Sequence, residues 1–216
     1  MTKIAFIDFD GTARRGDSVV DYIKYLLKQK KISTWDALYA AFMSMLYFFR
    51  IRDEKFVKER SLRFLSRFSE EEINKFSRDF VRDVLKHGIF PEMHELVDEL
   101  HDDGYKVVII SASPDVYMRY INDILLADDV ISTKFNLKDC RIYGRNCKGE
   151  EKVFMIKSYL HNNFPDCELA NCAGFGDSRS DLPMLNIMGK KCFVNNYRLY
   201  NEFVHTKEYD LKYWLN

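Results

Sequence analysis

The chain has 216 residues, 47% hydrophobic and 31% charged, which excludes a disordered or fibrous polymer and leaves room for one good core plus an inserted subdomain. Lys plus Arg and Asp plus Glu both total 33, so no global field draws the chain to nucleic acid or to an anionic membrane, and any electrostatic work is local. Five cysteines without CxxC spacing, and a first segment without a signal-peptide pattern, lead us to expect reduced thiols and a cytoplasmic protein.

Lys3 to Phe9 (KIAFIDF) is a short β-favouring run that ends in Asp-Gly, the pattern of a buried strand and a turn. From Asp17 to about His87 the periodicity is helical, with runs such as VVDYIKYLLK and EEEINKFSRDFVRDVL and no strand. Within it, Trp35 to Phe49 is apolar nearly all round. It is shorter than the roughly 20 residues needed to cross a bilayer, and Asp36 and Arg50 sit at its ends. We therefore expect first a buried or self-associating helix, and second a helix that faces a membrane surface or a partner. A helix over Glu92 to Asp103, closed by Gly104, leads into a second buried strand at Lys106 to Ile110. Then follow a helix at Asp115 to Leu126, a hairpin within residues 130–146 and a helix at Glu150 to Asn162. A strand at Ala170 to Phe175, a helix at Leu182 to Ile187, a strand at Lys191 to Asn195 and an aromatic tail that packs on the core complete the reading. Repeated strand-helix units predict an α/β fold, a doubly wound, Rossmann-like parallel sheet. The helical block is too long for a crossover, so residues 15–87 are assigned to an inserted all-helical cap, and residues 1–14 and 88–216 to the core.

In an open parallel sheet, ligands bind at the carboxyl ends of the strands. Four strand-end positions carry chemistry. In Asp8-Phe9-Asp10-Gly11-Thr12, residues i and i+2 point two carboxylates at one spot. Two like charges about 6 Å apart repel by roughly 3 kcal/mol at an effective dielectric of 20, so the pair calls for a cation or a lysine. Ser111 follows KVVII and offers a hydroxyl and neighbouring N–H groups to a phosphoryl oxygen, although a strand-end serine is more often a turn former. Lys152 lies near a predicted helix start, where the dipole disfavours it unless an anion is close; Lys148 and Lys157 are its rivals. Gly174 to Pro183 (GFGDSRSDLP) adds Asp177 and Asp181, and carboxylates at strand ends supply the oxygen ligands that Mg²⁺ prefers.

The order Asp-x-Asp-Gly-Thr, Ser, Lys, Gly-Asp-Ser-x-x-Asp resembles the haloacid dehalogenase superfamily. The helical insertion, with ISASP, GEEKV and GDSRSDLPML, resembles its phosphoserine-phosphatase-like branch. That resemblance implies a Mg²⁺-dependent phosphatase acting on a small phosphorylated metabolite. Asp8 would be the nucleophile, Asp10 the general acid and base, and Thr12, Ser111 and Lys152 the phosphate-binding residues. The metal set would be Asp8, Asp10 through its backbone carbonyl, Asp177 and Asp181. Asp17 stands where the branch places an acidic residue against a substrate amine. Ala112-Ser113-Pro114 and Ser180 depart from the phosphoserine pattern, so phosphoserine itself, and transfer to an acceptor other than water, remain alternatives. No cap arginine is singled out from Arg60, Arg63 and Arg67.

Overall fold

The computed structural model describes residues 2–206 and 208–214. After β1 (Lys3–Asp8) come α1 (Ser18–Lys28), α2 (Thr34–Phe48), α3 (Glu54–Ser61), α4 (Glu70–Phe80) and the short α5 (Lys86–Gly88). Next are α6 (Pro91–Asp102), β2 (Tyr105–Pro114), α7 (Asp115–Met118), β3 (Asp129–Thr133), a hairpin of β4 (Phe135–Asn136) and β5 (Arg141–Ile142), and α8 (Glu150–Asn163). The chain continues through β6 (Ala173–Gly176), α9 (Leu182–Asn186), β7 (Lys190–Val194), α10 (Tyr197–Phe203) and β8 (Asp210–Lys212). The sheet runs β3-β2-β1-β6-β7-β8, and every neighbouring pair is parallel.

The period of two along β1 builds both faces of this sheet. Ala5 and Ile7 enter the apolar cluster beneath α1, α4 and α6, whereas Ile4 and Phe6 enter the cluster beneath α8, α9 and α10. β2 repeats the division, with Val107 and Ile109 on one side and Val108 and Ile110 on the other. Burial on both faces is why these strands read as unbroken apolar runs. β1 is central, and its successors in the chain lie on opposite sides: β2 is reached after the helical insertion, and β6 after the rest of the first half. The crevice where strand order reverses therefore opens above the end of β1.

The helical insertion has no core of its own. Tyr22, Tyr25 and Leu26 on α1 and Phe80 on α4 belong to the same cluster as Ala5 and Ile7 of the sheet. The Tyr22 ring lies 5.0 Å from Phe80 and 5.1 Å from Tyr117 of α7. Tilted ring pairs of this kind each add about 0.5–1.5 kcal/mol beyond simple burial, so α1 and α4 are fastened to the core. α2 is fastened far less. Only Ala40 and Met43 are buried on it, while Trp35 and Phe48 are each 79% exposed, so the expectation of a buried helix is not met. Among the described residues no helix is long and apolar enough to cross a membrane.

Two other expectations change. The helix at Asp115 to Leu126 stops at Met118 and gives way to a 3₁₀ turn, because the chain must reach the sheet edge, where the Asp128 N–H donates to the Val107 carbonyl at 2.7 Å. Residues 129–133 are not a hairpin arm but an edge strand parallel to β2, which confines the hairpin to β4 and β5. A short β-branched run carries no mark of whether its partner is local or distant. The aromatic tail does pack on the core: β8 pairs with β7, and Trp214 sits 5.3 Å from the Phe90 ring.

Candidate active site

β1 delivers Asp8 opposite Ile110 of β2, so Ser111 is the next residue up on the neighbouring strand, and β6 on the other side ends just before Asp177. α8 begins after Gly149, whose positive φ of 60° lets the chain turn into the helix, and its first turn carries Lys152 inward. Lys152 is 2% exposed; its Nζ donates to Asp8 Oδ1 at 2.5 Å and to Asp181 Oδ1 at 2.7 Å. The rival Lys148 is instead paired with Glu54 at 2.6 Å.

Asp8, Asp177 and Asp181 present carboxylate oxygens all within 4.8 Å of one another. Burial raises Asp8 to about 8 against the pull of Lys152, with Asp181 and Asp177 adding to the rise. Asp177 is likewise raised to about 6 by burial and by Asp181. Asp181 is also buried, but Lys152 and Ser178 outweigh that cost and hold it below the ordinary carboxylate value. Burial works against the Lys152 charge, and Asp181 and Asp8 reverse it and hold the ammonium well above its usual range. Three carboxylates thus compete for one buried lysine. That deficit of positive charge, on a set of hard oxygen donors, fits a divalent cation such as Mg²⁺. The backbone makes room for these carboxylates in two places. A Cβ on Gly11, at φ +90°, would overlap the Asp177 carboxylate, and one on Gly176 would overlap Asp181.

Asp10 stands apart from that trio. Its Oδ1 accepts from the Ser18 N–H at 2.8 Å and from Arg14 at 3.2 Å, and its Oδ2 accepts from Ser18 Oγ at 2.8 Å and Ser113 Oγ at 2.6 Å. Burial raises its pKa, the Ser113 bond opposes this, Asp17 adds to it, and Ser18 and Arg14 pull it back. Arg14 is itself held by Asp21 at 2.6 Å, and the Ser18 hydroxyl continues to Tyr117 at 2.9 Å. A carboxyl poised in this way can give up a proton and take one back.

The Thr12 hydroxyl is fully buried and bonds Asp8 Oδ2 at 3.2 Å and Asp177 Oδ1 at 3.0 Å, so its side chain ties two carboxylates together. Ser111 Oγ accepts from the Ser113 N–H at 3.0 Å, which leaves its proton free, and the residue lines the cavity. That cavity, about 190 Å³, is bounded by Asp8, Asp10, Ser111, Lys152 and Asp177 below and by Asp17, Glu54 and Lys58 of the insertion above. Asp17 also caps α1, accepting from the Val20 N–H at 3.0 Å.

Several residues at the site escaped the sequence. Ser18 and Ser113 cradle Asp10, and Asn196 donates to the Asp177 carbonyl at 2.6 Å. Lys58 on α3, not an arginine, is the cation the insertion brings to the cavity; it bonds the Ala112 carbonyl at 2.7 Å and Glu54 at 2.6 Å. Ser113 had a signal, since it lies two residues beyond Ser111 on one strand. The others act across distances that no local pattern reports.

A doubly wound sheet with an aspartate pair at the end of its central strand, a lysine and two more aspartates at the neighbouring loops defines a hydrolase of the haloacid dehalogenase type. Residues 5–186 match the model of the family described as haloacid dehalogenase-like hydrolase, and the chain belongs to that family. By family it is a hydrolase. A histidinol-phosphatase of Neisseria meningitidis is 22% identical over 214 residues, covering 90% of this chain and 91% of the relative. A solved protein of unknown function from Bordetella pertussis Tohama I superposes with a TM-score of 0.87 at 18% identity and covers 98% of each chain. A probable phosphoserine phosphatase from Vibrio cholerae gives a TM-score of 0.67 at 20% identity, covering 98% of this chain and 60% of the other. At these identities the two structures speak for the fold alone.

Proposed function

We propose that this protein is a Mg²⁺-dependent phosphatase that hydrolyses a small phosphomonoester through an aspartyl-phosphate (acyl phosphate) intermediate on Asp8. The observation that carries the proposal is the separation of two differently held carboxylates: Asp8 against Lys152 among the acidic trio, and Asp10 in its cradle of hydroxyls. Asp8 attacks phosphorus, and Ser111 and Lys152 hold the phosphoryl oxygens. Asp10, with its raised pKa, protonates the leaving oxygen, then removes a proton from the water that attacks the aspartyl phosphate. Asp8, Asp177 and Asp181 would hold Mg²⁺, with the Asp10 carbonyl offered beside them. The cation supplies charge neutralisation, without which the carboxylate and the phosphate dianion repel each other.

Asp17 and Glu54 at the upper wall favour a substrate with a positively charged group near its phosphate. Glu54 is already paired with Lys58 and Lys148, which leaves Asp17 as the residue to meet an ammonium. A panel of phosphomonoesters with Mg²⁺, repeated in EDTA, tests the reading. Turnover that needs the metal and varies with the alcohol supports it; full activity in EDTA removes the metal from the mechanism, and no turnover of any ester removes the activity.

A further inference from the structure

Beside the phosphate cavity lies a second hollow of about 250 Å³, walled by Val20 and Ile23 of α1, Ser44 and Tyr47 of α2, and Val57 and Ser61 of α3. The two share Asp17, Val19, Glu54, Lys58 and Lys148 among their lining residues, so they lie directly side by side. The lining of the annex is mainly apolar, and the charges at its threshold are engaged: Glu54 is paired with both lysines, and Asp17 spends one oxygen on the α1 cap. At its inner wall Ser61 is 4% exposed, and its Oγ has no hydrogen-bond partner among the described residues. A buried hydroxyl left unpaired is costly, so its position calls for a polar atom supplied from the hollow.

We propose that this annex binds the organic arm of the substrate, and that the natural substrate is a phosphomonoester whose alcohol carries, beyond any charged group met by Asp17, a largely apolar arm with one hydrogen-bonding atom for Ser61. This deepens the phosphatase reading, on which it rests for the position of the phosphate. Asp17 and Val19 line both hollows, so a phosphate held at Asp8 has the annex as the neighbouring space for its alcohol. Burial in the annex adds the transfer free energy of each methylene, a factor of roughly four per carbon in kcat/KM until the hollow is full.

The test is a series of n-alkyl phosphates from methyl to hexyl, with binding of the matching alkylphosphonates followed by calorimetry on the same protein with Mg²⁺. We expect kcat/KM to climb about fourfold per carbon over the first few members, and phosphonate affinity to climb with it. Ser44→Phe, which fills the annex from the exposed side of α2, should flatten both series; Val20→Trp does the same from α1 should the first variant fail to fold. Turnover of every ester with no dependence on chain length, in either series, overturns the annex and leaves the phosphatase standing. An inert protein that still binds hexylphosphonate better than methylphosphonate, with the preference lost in Ser44→Phe, keeps the annex and overturns the phosphatase.

Discussion

Lys152 is the residue on which the electrostatics of the site turn, because it is the cation shared by Asp8 and Asp181 in a place with almost no access to water. Its removal leaves two buried carboxylates uncompensated, so Lys152→Ala should cost about 3–5 kcal/mol in urea unfolding without added metal. Asp8→Asn is the opposite case: it deletes the nucleophile but also one of three competing negative charges, so turnover should vanish while stability stays within about 1 kcal/mol. Equal stability of Lys152→Ala and wild type would mean that the lysine does not neutralise the pair. Asp17 calls for a different substitution, since alanine would also remove the α1 cap at about 1 kcal/mol. Asp17→Asn keeps an acceptor for the Val20 N–H and removes only the charge. It should lower kcat/KM roughly ten- to hundredfold for ammonium-bearing esters and leave an aryl phosphate nearly untouched. A uniform loss would make Asp17 a support of the catalytic loop.

At the scale of elements, α3 is tied to the core through Glu54, which accepts from Lys58 of its own helix and from Lys148 and Asn146 across the gap. Glu54 is partly buried, and the two lysines outweigh the cost and hold it at about 2. A carboxyl whose folded pKa is lowered contributes stability above its ordinary value near 4.5 and loses it as pH falls toward the folded value. The unfolding free-energy advantage of wild type over Glu54→Gln in urea should therefore be full near pH 6, up to about 3 kcal/mol, and shrink between pH 5 and 2. A pH-independent gap would assign Glu54 a packing role only. α2 supports the opposite expectation: Phe48→Ser lies on an exposed face and should change stability by less than about 0.5 kcal/mol. The elements were legible wherever periodicity was long, as with the runs that become α4 and α6. β3 and β8 were not, because a short edge strand is defined by its partner and not by its own residues. The exposure of α2 was hidden for a related reason: an all-round apolar helix looks the same in sequence whether or not something covers it.

For the whole molecule, topology converts four separated sequence motifs into one site, since β1, β2 and β6 are adjacent and their carboxyl ends meet where the strand order reverses. This is why Asp8, Asp10, Ser111, Lys152, Asp177 and Asp181 were all legible: each follows a recognisable strand or opens a helix. The fastening of Asp10 by Ser18 and Ser113, the role of Thr12 as a tether and the arrival of Lys58 from α3 depend on how the insertion docks, which local pattern does not encode. The central claim is that phosphate passes through Asp8 and leaves with the help of Asp10. An aryl phosphate needs little protonation of its leaving group, so Asp10→Asn should still form the aspartyl phosphate but fail to activate the water that clears it. The measurement is therefore an acid quench of Asp10→Asn after mixing with a phosphorus-labelled aryl phosphate and Mg²⁺, followed by mass spectrometry of the peptides. The account predicts close to one label per chain on Asp8, and none when Asp8→Asn is added; label on another residue, or no label while free phosphate is still released, would contradict it.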